Sequence, residues 1–151
     1  MKPTLIRILD RVNSTAYRDE AYVDIRKRWR GVKALCAATQ SWLLFSIGAI
    51  RILEVNCGAL TKRLLANGWR KGYSWADIKP GCLCFSIDAN KNKVSDHVYT
   101  FIKWLDFDKK MALIYDNHDV DPAPRNLGNR VIWNGRWFSR LRFWYCLLPP
   151  N

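Results

Sequence analysis

Residues 78–87 read IKPGCLCFSI, and the fold class turns on them. Pro80-Gly81 is turn chemistry, and Cys82 to Ile87 is an apolar run of strand length bounded by turns. Upstream, the pattern is helical. Residues 4–12 and 17–30 alternate apolar and charged groups at helical spacing, with Asn13-Ser14-Thr15 as cap or turn between them. Gly31 breaks a basic run. A helix from Val32 to Gly48 is then expected, with Leu35, Ala38, Trp42 and Phe45 along one face. A further helix is expected from Asn56 to Asn67, with Gly68 just past its end. Downstream, the pattern is extended. Asp88 to Lys93 reads as a polar turn, His97 to Leu105 as a strand, Asp106 to Lys110 as a hairpin turn and Met111 to His118 as the next strand. Asp121 to Asn129 reads as a Pro-containing loop. Val131 to Leu148, with Trp133, Trp137, Phe138, Phe143, Trp144 and Tyr145, reads as one or two final strands. Helices first and an antiparallel sheet later make an α+β domain, a single one over residues 1–151.

Composition supports a folded core. Of 151 residues, 49% are hydrophobic and eight are Trp, which excludes a disordered or low-complexity chain. The 25 Lys and Arg against 13 Asp and Glu leave a net charge of +12. Nine of the basic residues fall in positions 1–33; no acid follows Asp121, while five Arg do. Such a field favours a polyanionic partner: nucleic acid, an anionic membrane face or an anionic cell wall.

The five cysteines (36, 57, 82, 84 and 146) sit inside apolar runs and not in a disulfide framework, so reduced thiols are expected. The Cys82-x-Cys84 pair lacks the four ligands of a closed zinc site, and strand alternation assigns it to core packing. The sequence opens without a secretory signal. Its longest apolar run, Ala34 to Ile50, is interrupted by Thr39, Gln40, Ser41 and Ser46, so a buried core helix is expected in place of a membrane span.

One thiol is placed for chemistry. Cys36 falls near the start of the long helix and close to Arg26-Lys27-Arg28, and both a helix N-terminus and nearby cations favour the thiolate. Cys57, also near a helix start, is the reserve candidate. Of the two histidines, His97 begins a strand directly after a polar loop. The next strand ends Tyr115-Asp116-Asn117-His118, and antiparallel pairing can bring a polar group there beside His97 to orient its ring. Asp116 and His118 share one face and Asn117 points the other way.

In this order the residues resemble the NlpC-type and CHAP-type branch of papain-like cysteine peptidases and amidases, which cleave bacterial peptidoglycan. The matching elements are Cys36 on a helix, Gly68-Trp69, Ile78-Lys79-Pro80-Gly81 leading into a strand, Asp96-His97-Val98 opening another, and a polar residue ending the one after, over residues 32 to 120. Cys82 stands where the family usually has Asp, Asp96 where Gly is common, and Ala34-Leu35-Cys36-Ala37-Ala38 where the NlpC branch often has Asp-Cys-Ser-Gly. The resemblance implies a Cys36 nucleophile, a His97 base and Asp116 as orienting residue, with Asn117 and His118 as alternatives for that third position. It implies an oxyanion held by the Cys36 backbone N–H, with Tyr22 a candidate second donor, and neither cofactor nor metal. It further implies a monomer acting on peptidoglycan, with the basic surface drawn to anionic wall or membrane. A phage-type lysin released from the host cytoplasm, or an effector injected to the periplasm, fits the missing signal. Arg136, Arg140 and Arg142 among aromatics are a candidate wall-facing surface.

Two rivals come from other classes. A nucleic-acid-binding module would use the basic residues and aromatics together, but no helix-turn-helix, zinc-finger or RNP-like pattern occurs and nucleic acid is not the expected partner. A catalytically inactive papain-like structural or binding protein would keep the fold and lose nothing on Cys36→Ala.

Overall fold

The computed structural model describes residues 2–32, 34–87, 93–128, 132–133, 135–137 and 142–150. Four helices come first: α1 (Pro3–Asn13), α2 (Thr15–Arg28), α3 (Cys36–Ser46) and α4 (Cys57–Ala66). Pro3 starts α1 where its missing N–H costs nothing, and Leu5, Ile8 and Val12 form its buried stripe. The Ser14 hydroxyl accepts the Tyr17 N–H at 3.2 Å and starts α2. At α4, Asn56 Oδ1 accepts the N–H groups of Gly58 and Ala59 at 2.8 and 3.1 Å. Gly68, at φ +82°, ends the helix as expected, with the N–H groups of Gly68 and Trp69 returning to the Leu65 and Leu64 carbonyls.

The long helix starts four residues later than expected. Gly31 takes φ +86°, and Leu35, at φ −100° and ψ 8°, caps α3 without a helical turn before it. Cys36 is therefore the first residue of the helix. Residues 36–41 are all buried, polar ones included, and Phe45, expected inward, is 47% exposed. Ala37, Gln40, Leu43 and Leu44 take the interior instead.

The strands are β1 (Arg70–Gly72), β2 (Leu83–Ser86), β3 (Val98–Asp106), β4 (Met111–Tyr115), β5 (Ala123–Asn126), β6 (Ile132–Trp133), β7 (Arg136–Trp137) and β8 (Phe143–Leu148). β6 and β7 form a separate hairpin; the others form one antiparallel sheet ordered β1-β8-β2-β3-β4-β5. The α+β class expected from the sequence is thus what the chain adopts. β5 corrects the reading of 121–129 as loop: it is an edge strand, where Pro124 can sit without breaking a ladder. The expected turn over 88–92 and the side chains of Trp133, Arg136, Trp137, Phe138 and Arg140 lie outside the described residues.

Alternation divides the core into two layers. Leu83, Phe85, Val98, Ile102, Tyr145 and Leu147 face the helices and meet Ile8, Leu43, Leu44, Leu60 and Leu64. Cys82, Cys84, Tyr99, Phe101, Ile114 and Cys146 face the other way with Leu5 and Ile78. Cys82 and Cys84 are fully buried there, the core packing that the strand pattern implied. All five cysteines are free thiols. No described helix is long and apolar enough to cross a membrane.

The Pro80-Gly81 turn sets how closely α1 approaches the sheet. Gly81 has φ +86°, and a Cβ there would fall 2.5 Å from the Leu5 carbonyl oxygen. Both the backbone conformation and that contact exclude a side chain. Gly81→Ala should destabilise the fold by roughly 2 kcal/mol or more, read as a lower urea midpoint with an unchanged slope.

Candidate active site

His97 is fixed before it reaches β3. Its carbonyl accepts the Ser86 N–H at 2.9 Å, and the buried Ser95 hydroxyl lies 2.8 Å from both the Ser86 and His97 carbonyls. The strand that follows is locked to β2 by the pairing of Val98 with Phe85. The imidazole is 9% exposed. Its Nε2–H donates to Asp116 Oδ2 at 3.1 Å, which leaves Nδ1 as the ring nitrogen free to serve another group.

Asp116 stands just past the end of β4, itself 5% exposed. Oδ1 accepts the backbone N–H of His118 at 2.9 Å, a local turn that fixes the carboxylate, and Oδ2 also accepts from His118 Nδ1 at 2.8 Å. The two imidazoles stack, their centroids 4.9 Å apart. Asp116 and His118 thus share a face, and Asp116 is the residue that touches His97 directly. Asn117 offers its backbone carbonyl to Arg26 at 2.9 Å.

Cys36 meets this pair from the helix layer. His97 and the Val98 backbone N–H lie near enough to its thiol for both to favour the thiolate. As the first residue of α3, it contributes a backbone N–H from the set that no helical carbonyl satisfies. Cys57, the first residue of α4, brings its Sγ to 3.7 Å from that of Cys36. The sequence reading held Cys57 in reserve as a nucleophile; the structure gives it no contact of this kind with an imidazole.

Gln40 escaped the sequence reading, where it counted only as a polar interruption of an apolar run. One turn after Cys36, its fully buried amide donates from Nε2 to the Tyr115 carbonyl at 3.0 Å and accepts the Thr100 hydroxyl at 2.6 Å. Thr100 lies three residues after His97, and Tyr115 directly precedes Asp116. The helix that begins with Cys36 is therefore fastened to the strands that lead from His97 and up to Asp116. A buried polar residue three or four positions from a candidate nucleophile is the signal that would have found it.

The charges follow from these contacts. The Cys57 hydrogen bond most strongly favours the Cys36 thiolate. Burial opposes it, and the His97 hydrogen bond and charge add to it, so the pKa falls to about 4. Burial pulls the His97 pKa down, but hydrogen bonds to Asp116 and Cys36 and their charges outweigh it and raise it to about 9. Asp116 would be raised by burial; the N–H groups of His97 and His118 instead hold it well below the usual carboxylate range. These directions all favour charge on Cys36, His97 and Asp116 together.

Tyr22, the candidate second oxyanion donor, lies on α2 with the Arg26 guanidinium 3.3 Å from its ring centroid; its described contact runs to Arg26 and not to Cys36. His97, Asp116 and His118 also place one donor atom each within 4.8 Å of one another, a spacing at which a divalent ion could be held.

Two outcomes test the geometry. Cys36 is ionised above about pH 4, where an ordinary thiol waits until about 9. Its alkylation by iodoacetamide, followed by peptide mass mapping, should therefore be fast and flat from pH 5 to 8 and slow only towards pH 4. Gln40→Ala strands the Tyr115 carbonyl and Thr100 hydroxyl in a dry interior; a loss of roughly 3 kcal/mol in urea unfolding is expected, with the alkylation limb moved up towards that of a free thiol. Compared with protein-family models, curated proteins and solved structures, the chain gives no match in any of the three.

Proposed function

We propose that the protein is a papain-like cysteine amidase or peptidase that cleaves an amide bond of bacterial peptidoglycan. The observation that carries the chemistry is the buried His97–Asp116 pair, Nε2 to Oδ2 at 3.1 Å, together with the Cys36 thiol at a helix N-terminus, whose thiolate His97 favours. The substrate class rests on the resemblance of residues 32 to 120 to the NlpC-type and CHAP-type enzymes, and the charge of +12 suits an anionic wall.

Each group has one task. The Cys36 thiolate adds to the amide carbonyl, and the Cys36 backbone N–H meets the developing oxyanion. His97, already protonated, delivers its Nδ1 proton to the leaving amine as the C–N bond breaks and a thioester remains. Neutral His97 then takes a proton from water, which attacks the thioester carbonyl and releases the acid product and the thiolate. Asp116 keeps the Nε2–H tautomer through both halves. Because the working state needs ionised Cys36 and protonated His97, activity should rise through about pH 4 and fall through about pH 9.

The nucleic-acid rival requires exposed aromatics beside the basic residues. Among the described residues, Trp69, Phe85, Tyr99, Phe101 and Tyr145 are buried while Phe45, Tyr73 and Phe107 are exposed, Phe107 with Lys110 over its ring, so what favours the hydrolase reading is the grouping of Cys36, His97 and Asp116. A phage-type lysin or an injected effector remains the setting that this reading implies.

Purified peptidoglycan treated with the protein under reducing conditions, with a chelator to remove any ion at His97, Asp116 and His118, should release new amino termini, and product masses should name the bond. Cys36→Ala should abolish release. Asp116→Asn should slow it by about 100-fold or more, because the imidazolium loses the negative charge beside it and the carboxylate that fixes its tautomer. His118→Ala should cost less than about 10-fold, since that ring is half exposed and acts on His97 only by stacking and through the shared carboxylate. No cleavage by the wild-type protein, or equal cleavage by Cys36→Ala, would overturn the proposal.

A further inference from the structure

The acyl-transfer steps leave Cys57 without work, yet its sulfur is 3.7 Å from the nucleophile's. Each thiol is the first residue of its helix and each is 6% exposed, so the pair is held from two sides by packed helices. An S–S bond is roughly 2 Å long, so the two sulfurs must close by about a further 1.7 Å. We propose that Cys36 and Cys57 form a redox couple: a hydroperoxide oxidises Cys36, and Cys57 resolves it as an intramolecular disulfide that masks the nucleophile reversibly.

The chemistry balances with hydrogen peroxide as oxidant. The Cys36 thiolate attacks one peroxide oxygen, the O–O bond breaks, hydroxide leaves, and the sulfur, oxidised by two electrons, becomes a sulfenic acid. Cys57, as thiolate, then attacks that sulfur; the S–O bond breaks and hydroxide departs. The protons shed by the two thiols convert both hydroxides to water. Overall, two thiols and one peroxide give one disulfide and two waters.

The surroundings impose an order on these steps. The hydrogen bond to Cys36 is the largest influence holding Cys57 protonated, followed by burial and the Cys36 charge. Oxidation of Cys36 removes that negative charge, so Cys57 becomes easier to ionise only after its partner has reacted. The other close pair lacks these features. Cys82 and Cys84 have sulfurs 3.6 Å apart, but they are two residues apart on one stretch of backbone, fully buried, and burial pushes both thiols up. Cys146 faces Cys84 across β8 in the same layer. Proximity alone therefore does not select the couple; proximity beside His97 does.

The loss of hydrolysis on oxidation rests on the function proposed above, whereas the couple itself does not. The reduced protein is treated with a small excess of hydrogen peroxide, blocked with iodoacetamide and mapped by mass without reduction. The expected product is a Cys36–Cys57 link, lighter by two hydrogens, reversed by dithiothreitol, with Cys82, Cys84 and Cys146 still reduced. In Cys57→Ser, Cys36 should instead advance to sulfinic acid that dithiothreitol does not reverse. A wild-type protein in which Cys36 is over-oxidised beside a free Cys57, in which Cys36 does not react, or in which the link joins other cysteines overturns the couple. These masses need no variant to fold and no peptidoglycan to be cut. On the same samples, peptidoglycan cleavage should vanish on oxidation and return with dithiothreitol. A correct mass map without cleavage in the reduced protein would count against the hydrolase alone.

Discussion

Gln40 is fully buried, and its amide is spent on two groups of the sheet, the Thr100 hydroxyl and the Tyr115 carbonyl. A helix can slide or rotate on a sheet at small cost when only apolar side chains meet, because hydrophobic contact has no direction. A dry amide with a donor and an acceptor both engaged permits no such freedom: any slip leaves polar atoms unpaired. Cys36 inherits its position from that constraint, since it begins the same helix one turn earlier. Ser41, the next residue along, repeats the device by accepting the Glu54 N–H at 2.7 Å and tying down the chain that leads to α4.

The basic residues divide into two groups. Arg18 is 8% exposed and donates to the Val12 carbonyl and to Asp121, each at 2.8 Å, and Arg26 holds the Asn117 carbonyl. From one helix, these two side chains grip the loop on which Asp116 and His118 stand. Part of the charge that the sequence assigns to an outside partner thus serves to hold the carboxylate's loop. The buried guanidinium of Arg18 is tolerable because its partners are at hydrogen-bond distance on the protein side.

The elements legible in the sequence were those with local causes. Pro80-Gly81, Gly68 after its helix and Ser14 before its own all act through a few neighbouring residues, and each falls where the pattern put it. Asp116 and His118 do meet on one side, but a turn past the end of β4 brings them there, since the strand expected to reach His118 stops at Tyr115. What was not legible depended on contacts across the chain. The start of α3 slipped from Val32 to Cys36 because Gly31 and Leu35 take non-helical backbone, and helix propensity at 32–35 carries no sign of that. Phe45 turned outward because Gln40 had to turn inward. The nearness of Cys57 to Cys36 joins two helix starts that only the packed helix layer brings together. β5 was hidden by a proline that is harmless at an edge and would be forbidding elsewhere.

The last strand is the one between β1 and β2. During synthesis, the strand that precedes His97 therefore waits with one ladder open until residues 143–148 have emerged, well after Cys36, His97 and Asp116. Its unpaired edge is what chaperones and proteases would meet on the nascent chain, and its closure is a long-range step that makes folding slow. Cys36 and His97 consequently acquire their finished surroundings only after residues 143–148 have emerged and closed the sheet around β2.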